Sequence, residues 1–275
     1  MIRGLYTAAS GMLLGLRQQD ALAENMANAS TVGYKAEQTS QSAFGNLLAR
    51  RIGAGVLPFA RASNRVIGGF GSGAYIDKTR TLMAQGAERA TGSLLDVMVR
   101  GDGFFAVQTP DGTRYTRDGH LDRDDQNVLI NTDGNAMLDV SGQTITLLSD
   151  HVRIKTDGGI YNLIPTEVKG ADGSVSRQDR EEFVAQLQVV TLPVEALVRA
   201  GDTQFAVAAD VTVTPVDPAA GSTFVLQGSL EEANVAVNEA ATQMFSLART
   251  FEASQHVFTT INETLQSAVR DVGRV

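Results

Sequence analysis

Residues 24–35 read Glu-Asn-Met-Ala-Asn-Ala-Ser-Thr-Val-Gly-Tyr-Lys and end the first of two helix-forming segments. Upstream of this stretch, apolar residues recur at alternating steps of three and four, which is the spacing of a heptad seam. We therefore predict a helix from Met1 to about Ala29. Gly33 is suited to the positive φ angle that commonly closes a helix. The residues that we expect to shape the turn out of the helix are Asn25, Asn28, Thr31 and Gly33.

The predicted N-terminal helix carries two stripes at helical spacing. The apolar seam consists of Ile2, Leu5, Ala9, Met12, Leu16, Ala23 and Met26, with Gln19 as its polar member. A second stripe of small residues, which would let another backbone approach closely, consists of Gly4, Ala8, Gly11 and Gly15. Each glycine costs about 1 kcal/mol of helix propensity relative to alanine, so we expect packing partners to stabilise the segment. Periodicity alone also fits an ordinary core helix of a globular domain.

The second helix-forming segment lies at the C-terminal end, where no proline or glycine interrupts residues 229–272. Its seam consists of Val237, Ala241, Met244, Ala248, Phe251, Phe258, Leu265 and Val269, with Gln255 and Asn262 as polar members. We predict a helix from Leu230 to about Val272, capped by Ser229 or Asn234. About 35 residues of helix would extend roughly 50 Å. That length is typical of a helix that pairs with something outside a compact domain.

The middle of the chain favours β structure. Asp-Gly, which favours tight hairpin turns, occurs six times, with its aspartates at Asp102, Asp111, Asp118, Asp133, Asp157 and Asp172. We predict an antiparallel, hairpin-rich β domain over residues 76–219. Residues 36–75 and 220–229 are predicted as extended connectors, with one short strand at 65–67. The predicted fold class is α+β, in which discontinuous terminal helices (1–35 and 230–275) pair as a coiled-coil-like domain with an inserted all-β domain.

Composition argues against several classes of function. The net charge of −8, without a cluster of Lys and Arg, argues against binding to nucleic acid. The absence of cysteine excludes disulfides and thiolate metal sites. No apolar run approaches the ~20 residues of a membrane helix, and a glycine-interrupted N-terminus is not typical of a cleavable signal peptide. We therefore expect no nucleic acid partner, no membrane insertion and no signal cleavage.

Nothing in the sequence predicts catalytic, cofactor-binding or metal-ligating residues. The three histidines, His120, His151 and His256, lack a second His, Asp or Glu at the spacing of a zinc site. Residues 122–127 are only faintly similar to a calcium loop, because Asn127 stands where a glycine should make the sharp turn. No Gly-x-Ser-x-Gly elbow is present. We expect no cofactor and no enzymatic activity.

The stretch 24–35 strongly resembles the end of the N-terminal helix in the bacterial flagellar rod and hook protein family. The resemblance continues at 85–86, 96–107, 114–119 and 227–237. The Gly-Asp-Gly-Phe-Phe block at 101–105 and the length are most similar to the rod members FlgF and FlgG, or to the related hook–basal-body proteins of Gram-positive bacteria. At two places the sequence departs from the family pattern, and both bear on which subtype of the family it resembles. Residues 248–252 replace the family's Gln-Arg-Ala-Tyr-Glu, and Glu88-Arg89 replaces a common leucine.

The resemblance implies a structural axial subunit of the flagellar basal-body rod, the drive shaft of motility. The terminal helices would pair in the innermost layer of a tube and polymerise, because a non-closing heterologous contact builds helical assemblies. The implied partners are the chain itself, other flagellar rod and hook subunits, and the flagellar type III export apparatus. The implied location is the basal body in the extracytoplasmic cell envelope.

The predicted assembly interface combines seam and turn positions from both ends. These are Ile2, Leu5, Gly11, Met12, Gly15, Leu16, Asn25, Met26, Asn28, Thr31 and Gly33 in the N-terminal segment, and Val237, Met244, Phe251, Phe258 and Leu265 in the C-terminal segment. The alternative hypothesis is a β-rich surface or carbohydrate-binding module with a helical oligomerisation stalk. That alternative predicts a stable closed oligomer whose ends stay helical at low concentration.

Overall fold

The computed structural model describes residues 2–45, 47–51, 65–71, 73–149, 151–169, 175–207, 213–216 and 223–273. One long helix at each end of the chain flanks a β-rich middle in sequence, which confirms the α+β class. The chain divides into two compact units. Unit 1 comprises Met1–Met26, Glu37–Thr81 and Ala236–Val275, and unit 2 comprises Ala27–Ala36 and Leu82–Val235.

Unit 1 contains both helices and two antiparallel strand pairs. The helices are α1 (Ile2–Ala27) and α2 (Val237–Val272). The strands are β1 (Glu37–Ala43), β2 (Leu47–Arg51), β3 (Arg65–Phe70) and β4 (Ala74–Thr81). Strand β1 pairs with β4, and β2 pairs with β3. The predicted strand at 65–67 lies within β3, while the other strands occupy residues that we predicted as an extended connector.

Two glycines of the small-residue stripe of α1, Gly4 and Gly11, face α2. A Cβ atom added at Gly4 would lie 2.9 Å from Ile261 Cδ1, and one added at Gly11 would lie 3.5 Å from Ser254 Oγ. These contacts run in opposite directions along the two helices, so the helices are antiparallel where they meet. The missing side chain at Gly4 therefore lets Ile261 of α2 lie close to α1, whereas Gly11 is at an ordinary contact distance and no other described residue lies within 4 Å of a Cβ at Gly15.

A two-stranded ribbon, β1 with β4, runs alongside α1. At one end, the Asn25 side chain donates to Glu37 O and accepts from Glu37 N, both at 2.8 Å. At the other end, Gly73 contacts Ser10 so closely that any Cβ at Gly73 would overlap the Ser10 hydroxyl. Seven residues of β1 span about 24 Å, and α1 rises about 22 Å between Ser10 and Asn25. The matching lengths align the ribbon with four turns of the helix.

Unit 2 contains the remaining strands and a short 3-10 helix, Val194–Ala196. The strands are β5 (Glu88–Ala90), β6 (Val97–Arg100), β7 (Phe104–Thr109), β8 (Gly112–Thr116), β9 (Leu121–Arg123), β10 (Leu129–Asn131), β11 (Ala136–Met137), β12 (Val152–Ile154), β13 (Gly159–Lys169), β14 (Val175–Gln186), β15 (Val189–Thr191), β16 (Leu197–Arg199), β17 (Gln204–Val207), β18 (Thr214–Pro215), β19 (Phe224–Gln227) and β20 (Ser229–Glu231).

The main sheet of unit 2 has nine strands in the order β16-β17-β8-β7-β11-β10-β9, with β15 bridging β7 and β18. Smaller sheets are formed by β12-β13-β14, β19-β6 and β20-β5. All pairings of these described strands are antiparallel, as predicted.

Strand β7 is buried on both faces and divides the core of unit 2. Phe105 and Val107 point into one apolar cluster together with Leu129, while Phe104 and Ala106 point into another. Successive residues of a strand face opposite sides, so a continuous apolar run is what a central, doubly covered strand requires. The apolar run Phe-Phe-Ala-Val at 104–107 therefore makes β7 the strand of this sheet that has an apolar cluster on each face.

The Asp-Gly prediction is right at three positions and wrong at two. Gly112, Gly134 and Gly158 have positive φ angles of 118°, 77° and 79° and lie in turns between paired strands. Gly119 instead lies where a Cβ would overlap the Val97 carbonyl oxygen, so it permits a close approach to β6. The Asp102-Gly103 step joins β6 to β7, which do not pair with each other. The step at Asp172 lies outside the described residues.

Helix α2 begins later than the sequence predicts. Residues 229–231 form β20, which pairs with β5, and the helix starts at Val237. Ala236 occupies the N-cap position without a side-chain hydrogen bond, so neither Ser229 nor Asn234 caps the helix. The predicted connector 220–229 includes β19, which pairs with β6. The long-range partners of these strands outweigh the helical pattern of the sequence.

Candidate functional site

The exit from α1 is a tight, hydrogen-bonded turn. Thr31 N donates to Asn28 O at 3.1 Å, and the Thr31 hydroxyl donates to Asn28 Oδ1 at 3.1 Å. Tyr34 N then donates to Thr31 O at 3.3 Å. Gly33 has a φ angle of 69°, which confirms the predicted positive φ. The structure thus brings three of the predicted turn residues, Asn28, Thr31 and Gly33, into one local motif.

Gly33 also makes a close contact that is distant in sequence. Its N–H donates to Glu231 O at 2.8 Å. A Cβ at this position would overlap the backbone of Arg117 and Asp118. Glycine is therefore required at position 33 for two independent reasons, the left-handed backbone and the space.

Beyond this turn lies a buried ionic clasp, formed by Lys35, Arg117 and Glu231. Lys35 Nζ lies 2.5 Å from Glu231 Oε1, and an Arg117 guanidinium nitrogen lies 3.3 Å from Glu231 Oε2. The exposed fractions of these side chains are 1% for Lys35, 3% for Arg117 and 1% for Glu231. Buried charges are tolerated only when they are paired and hydrogen-bonded. Two cations therefore share one carboxylate deep inside unit 2.

Backbone groups satisfy most of the remaining polar atoms of the ionic clasp, although Arg117 Nε has no hydrogen-bond partner among the described residues. Lys35 Nζ donates to Ala84 O at 2.9 Å, and Gly86 N donates to Glu231 Oε1 at 2.8 Å. Arg117 donates to Gly101 O at 2.8 Å, and its guanidinium lies 4.8 Å from the centre of the Phe104 ring. These contacts draw in the segments around 84–86 and 99–104, so four separate stretches of the chain meet at Glu231.

Burial governs the electrostatics of the clasp. Burial lowers the pKa of the Lys35 ammonium, and the neighbouring Glu231 carboxylate acts in the opposite direction. Burial likewise lowers the pKa of the Arg117 guanidinium against the attraction of Glu231. Removing the single carboxylate would leave two desolvated cations without a counter-charge. Glu231 is therefore the residue on which the clasp depends.

Asn234 forms a second link just before α2. Its Oδ1 accepts from Ala36 N at 2.7 Å, and its Nδ2 donates to Leu82 O at 2.7 Å and to Ala84 O at 2.9 Å. Arg199 hydrogen-bonds to Lys35 O, and its guanidinium lies 4.6 Å from the centre of the Tyr34 ring. The segment that follows α1 and the segment that precedes α2 are thus fixed at one place in unit 2.

The predicted interface residues have differing environments. Gly15, Asn25 and Gly33 are buried, whereas Leu16 and Val237 are 44% and 45% exposed. The half-buried positions are Leu5, Gly11, Met12, Met26, Asn28, Thr31, Met244, Phe251, Phe258 and Leu265, and the structure does not describe the side chain of Ile2. On α2 the half-buried stripe continues through Ser254 and Ile261, while Gln255 and Asn262, predicted as seam members, are exposed.

Large apolar side chains remain exposed on both helices. On α1 these are Tyr6 at 69% and Leu13 at 61%, and on α2 they are Phe245 at 72%, Val257 at 51% and Val269 at 71%. Tyr6 and Leu13 are seven residues apart and therefore lie on one face of α1. The sequence seam included Val269 but not Tyr6, Leu13, Phe245 or Val257, because it was fitted to neighbouring positions.

Sequence reasoning also missed the role of the ionic clasp. Lys35, Arg117 and Glu231 each stand inside a recognisable sequence block, yet Lys35 and Glu231 are 196 positions apart. The available signal was a charged residue within each block, but Arg117 stands beside Asp118 and Glu231 beside Glu232, so the sequence does not single out which of these charges is buried. Spacing alone could not pair the blocks.

The described residues contain no other arrangement that suggests chemistry. His120 Nδ1 lies 2.7 Å from Asp96 Oδ1, and the Thr91 hydroxyl donates to Asp96 Oδ2 at 2.5 Å. Within this part of the chain, no three His, Cys, Asp or Glu residues are placed to hold a metal ion. None of the helices that the structure describes is long and apolar enough to span a membrane.

Comparison with known proteins matches the same blocks. Residues 5–35 match a model described as flagella basal body rod protein, residues 98–162 the flagellar hook protein FlgE/F/G D1 domain, and residues 226–271 the flagellar basal body rod FlgEFG protein C-terminal region. The chain is 30% identical over 281 residues to the flagellar basal-body rod protein FlgG of Bacillus subtilis, covering 98% of each chain.

Two further relatives also match along their whole length. The flagellar hook-basal body complex protein FlhO of Bacillus subtilis is 28% identical over 289 residues, covering 100% of each chain. The flagellar basal-body rod protein FlgF of Mesorhizobium japonicum is 28% identical over 270 residues, covering 98% of this chain and 97% of the relative. Each of the three family models includes a segment of the ionic clasp: Lys35, Arg117 or Glu231.

Proposed function

The chain belongs to the family of flagellar basal-body rod and hook proteins, as a structural rod subunit, and we propose that it polymerises through its two terminal helices. The observation that supports this proposal is that large apolar side chains remain exposed on both helices, Tyr6 and Leu13 on one face of α1 and Phe245 and Val269 on α2. Burying such side chains between copies stabilises an assembly by roughly 1.5–3 kcal/mol per fully buried residue.

In this proposal the terminal helices pair as a coiled-coil-like layer and carry the interface predicted from the sequence. The apolar seam of α1 and the half-buried stripe of α2 supply the packing, because knobs at heptad spacing fit between the residues of a neighbouring helix. The ionic clasp keeps the segments that follow α1 and precede α2 at fixed points of unit 2.

The remaining partners follow from the family. The chain assembles with copies of itself and with other rod and hook subunits of the flagellar basal body. It reaches the extracytoplasmic envelope through the flagellar type III export apparatus without signal cleavage. Nucleic acid, membrane insertion and enzymatic turnover have no part in this function.

Deletion of residues 1–29 tests the proposal most directly. The truncated chain should fail to join basal bodies and should abolish motility. If it still joined basal bodies and supported swimming, polymerisation through the terminal helices would be wrong.

A milder test uses single substitutions. Leu13→Asp and Phe245→Asp place a charge on exposed helix positions and should block incorporation while leaving unit 2 folded. Leu148→Asp is the matched control, since Leu148 is 82% exposed but lies in unit 2. The amount of each variant in purified basal bodies gives the readout, and equal incorporation of all three variants would contradict the proposal.

A further inference from the structure

Two exposed aromatic side chains lie at one end of the β1–β4 ribbon. The ring centres of Phe44 and Tyr75 lie 5.1 Å apart, with an angle of 34° between the ring planes. Phe44 N donates to Gly73 O at 2.9 Å, which holds Phe44 where the two strands end. The exposed fractions of the two side chains are 42% and 43%. We call Phe44 and Tyr75 the aromatic pair.

The aromatic pair adjoins the open face of α1. A Cβ atom added at Gly73 would lie 3.1 Å from Ser10 Cβ and 3.5 Å from Phe44 Cδ2, so Ser10 and Phe44 border the same point. Ser10 stands four residues after Tyr6 and three before Leu13, and residues at these spacings are neighbours on the surface of a helix. Tyr6 and Leu13 are themselves 69% and 61% exposed. The aromatic pair therefore extends the exposed face of α1.

This combined surface, which we call the apolar patch, consists of Tyr6, Leu13, Phe44 and Tyr75. At their exposed fractions the four side chains present on the order of 400 Å² to solvent. That area is comparable to the largest apolar patch of a typical monomer, which often marks a binding site. Helix α2 contacts α1 on another side, at Gly4 and Gly11, and leaves the apolar patch uncovered.

The outer side of α2 supplies a surface that matches the apolar patch. Phe245 is 72% exposed, the largest exposed fraction of any bulky apolar side chain described in unit 1. The exposed Glu252 follows it by seven residues, about two turns, and so lies on the same face of the helix. We call this surface the Phe245 face. It combines one large aromatic ring with one carboxylate at heptad spacing, as the apolar patch combines Leu13 with the phenol of Tyr6.

We infer that the apolar patch of one copy binds the Phe245 face of a second copy. This inference rests on the proposed function and deepens it, because it names the two surfaces that meet. Helices α1 and α2 are antiparallel within a copy, and copies that point the same way along an assembly keep that relation between copies. Because the two surfaces differ, the contact does not close on itself and continues from copy to copy.

The heptad spacing on both helices sets the register of this contact. Leu13 opposite Phe245 in antiparallel helices puts Tyr6 opposite Glu252. The phenol hydroxyl of Tyr6 then donates to a carboxylate, a charge-assisted hydrogen bond. Phe245 meets the aromatic pair beside Leu13, where rings gain from edge-to-face or offset contact.

The register also fixes how far successive copies are displaced. Within one copy, Gly11 lies opposite Ser254. Because the helices are antiparallel, Leu13 is level with Glu252 of its own chain. Between copies, Leu13 is level with Phe245, which is seven residues away. Successive copies are therefore displaced by about 10 Å along the helices.

Removal of the aromatic pair tests the inference on the full chain. Phe44→Thr combined with Tyr75→Thr keeps residues that suit an extended backbone, and it should weaken association by about tenfold or more in sedimentation measurements. Phe183→Thr is the matched control, because Phe183 is a 59% exposed aromatic residue in unit 2, and it should leave association unchanged. Circular dichroism checks that each variant is folded. Unchanged association of the double variant, or an equal loss in the control, would overturn the inference.

Thiol crosslinking tests the register. The chain has no cysteine, so a disulfide between a Leu13→Cys chain and a Phe245→Cys chain forms only between copies. Mass spectrometry should identify a crosslink between positions 13 and 245. Val257→Cys replaces Phe245→Cys in the control, because Val257 is 51% exposed but lies about a third of a turn away from the Phe245 face. Equal crosslinking of position 13 to both positions would contradict the proposed register.

Purified basal bodies distinguish a second copy from other occupants of the apolar patch. If the double variant Phe44→Thr, Tyr75→Thr associated normally with its own copies but failed to enter basal bodies, the patch would bind a different rod subunit and the inference would be wrong. Normal behaviour of that variant in both assays, with loss of incorporation for Leu13→Asp and Phe245→Asp, would overturn the inference and leave the proposed function intact. Normal incorporation of the two aspartate variants would contradict the proposed function itself.

Discussion

The ammonium of Lys35 lies 2.5 Å from the carboxylate of Glu231, although the two residues are 196 positions apart. Both side chains are almost completely buried. This ion pair joins the segment just after the first helix to the segment just before the last one.

Glu231→Gln should destabilise the protein severely. The substitution keeps the shape of the side chain and removes the counter-charge of Lys35 and Arg117. Breaking a buried ion pair by removing one partner costs about 3–5 kcal/mol, and urea denaturation of the full chain measures it. Glu232→Gln is the control, because Glu232 is 47% exposed and pairs with Arg89 at 3.8 Å, a surface contact worth about 1 kcal/mol at most. Equal losses for the two variants would show that the clasp has no special role.

Gly33→Ala should lower the free energy of unfolding by more than the substitution of an ordinary turn glycine does. The alanine must adopt a left-handed conformation and also displace the backbone of Arg117, for a total of about 3–5 kcal/mol. Gly92→Ala separates the two effects, because Gly92 has a φ angle of 74° but open space around it. Its cost should be about 1–2 kcal/mol. Thermal unfolding of both variants gives the comparison, and similar melting temperatures would contradict the close-approach argument.

Asn234→Ala should weaken the link that precedes α2. The substitution removes the acceptor of Ala36 N and the donor to the carbonyl oxygens of Leu82 and Ala84. Leaving such groups without partners costs about 1–3 kcal/mol in the free energy of unfolding. Asn238→Ala, at an exposed position of α2, should change it by less than about 0.5 kcal/mol. If chemical denaturation gave the same free energy of unfolding for both variants, Asn234 would not contribute to the link that precedes α2.

Asp118→Asn should change how stability depends on pH. Burial raises the pKa of the Asp118 carboxyl above 3.8, so the folded chain binds this proton at a higher pH than the unfolded chain. The stabilising contribution of the proton is complete below the unfolded pKa and is lost as pH rises through the folded pKa. The melting temperature of the unchanged protein, relative to Asp118→Asn, should therefore fall from about pH 3.5 towards neutral pH. A relative melting temperature that stayed constant or rose would contradict the shift.

Sequence patterns correctly predicted the features of this fold that depend on residues close together in the chain. Helix α1 ends within two residues of the predicted position, since it ends at Ala27. The positive φ of Gly33 and three Asp-Gly turns follow from backbone preferences that act over about four residues. The antiparallel character of the middle follows from the same turns.

Long-range pairings decided the parts that the sequence did not predict. Residues 229–231 have a helical pattern, but the sheet contact of Leu230 with Arg89 holds them as a strand. The ionic clasp unites residues from three distant stretches, and no periodicity connects Lys35 with Glu231. The sequence shows that these residues are charged, but it does not show which residue neutralises the charge of each one.

Glu231 follows Arg117 by 114 positions and Lys35 by 196, which has a consequence for the order in which unit 2 can fold. A nascent chain that emerges N-terminus first presents Lys35 and Arg117 long before residues 229–231 leave the ribosome. Until then, strand β5 lacks its partner and two cations lack their anion. Closure of unit 2 therefore waits until residues 229–231 have been synthesised, because Glu231 neutralises both cations and β20 pairs with β5.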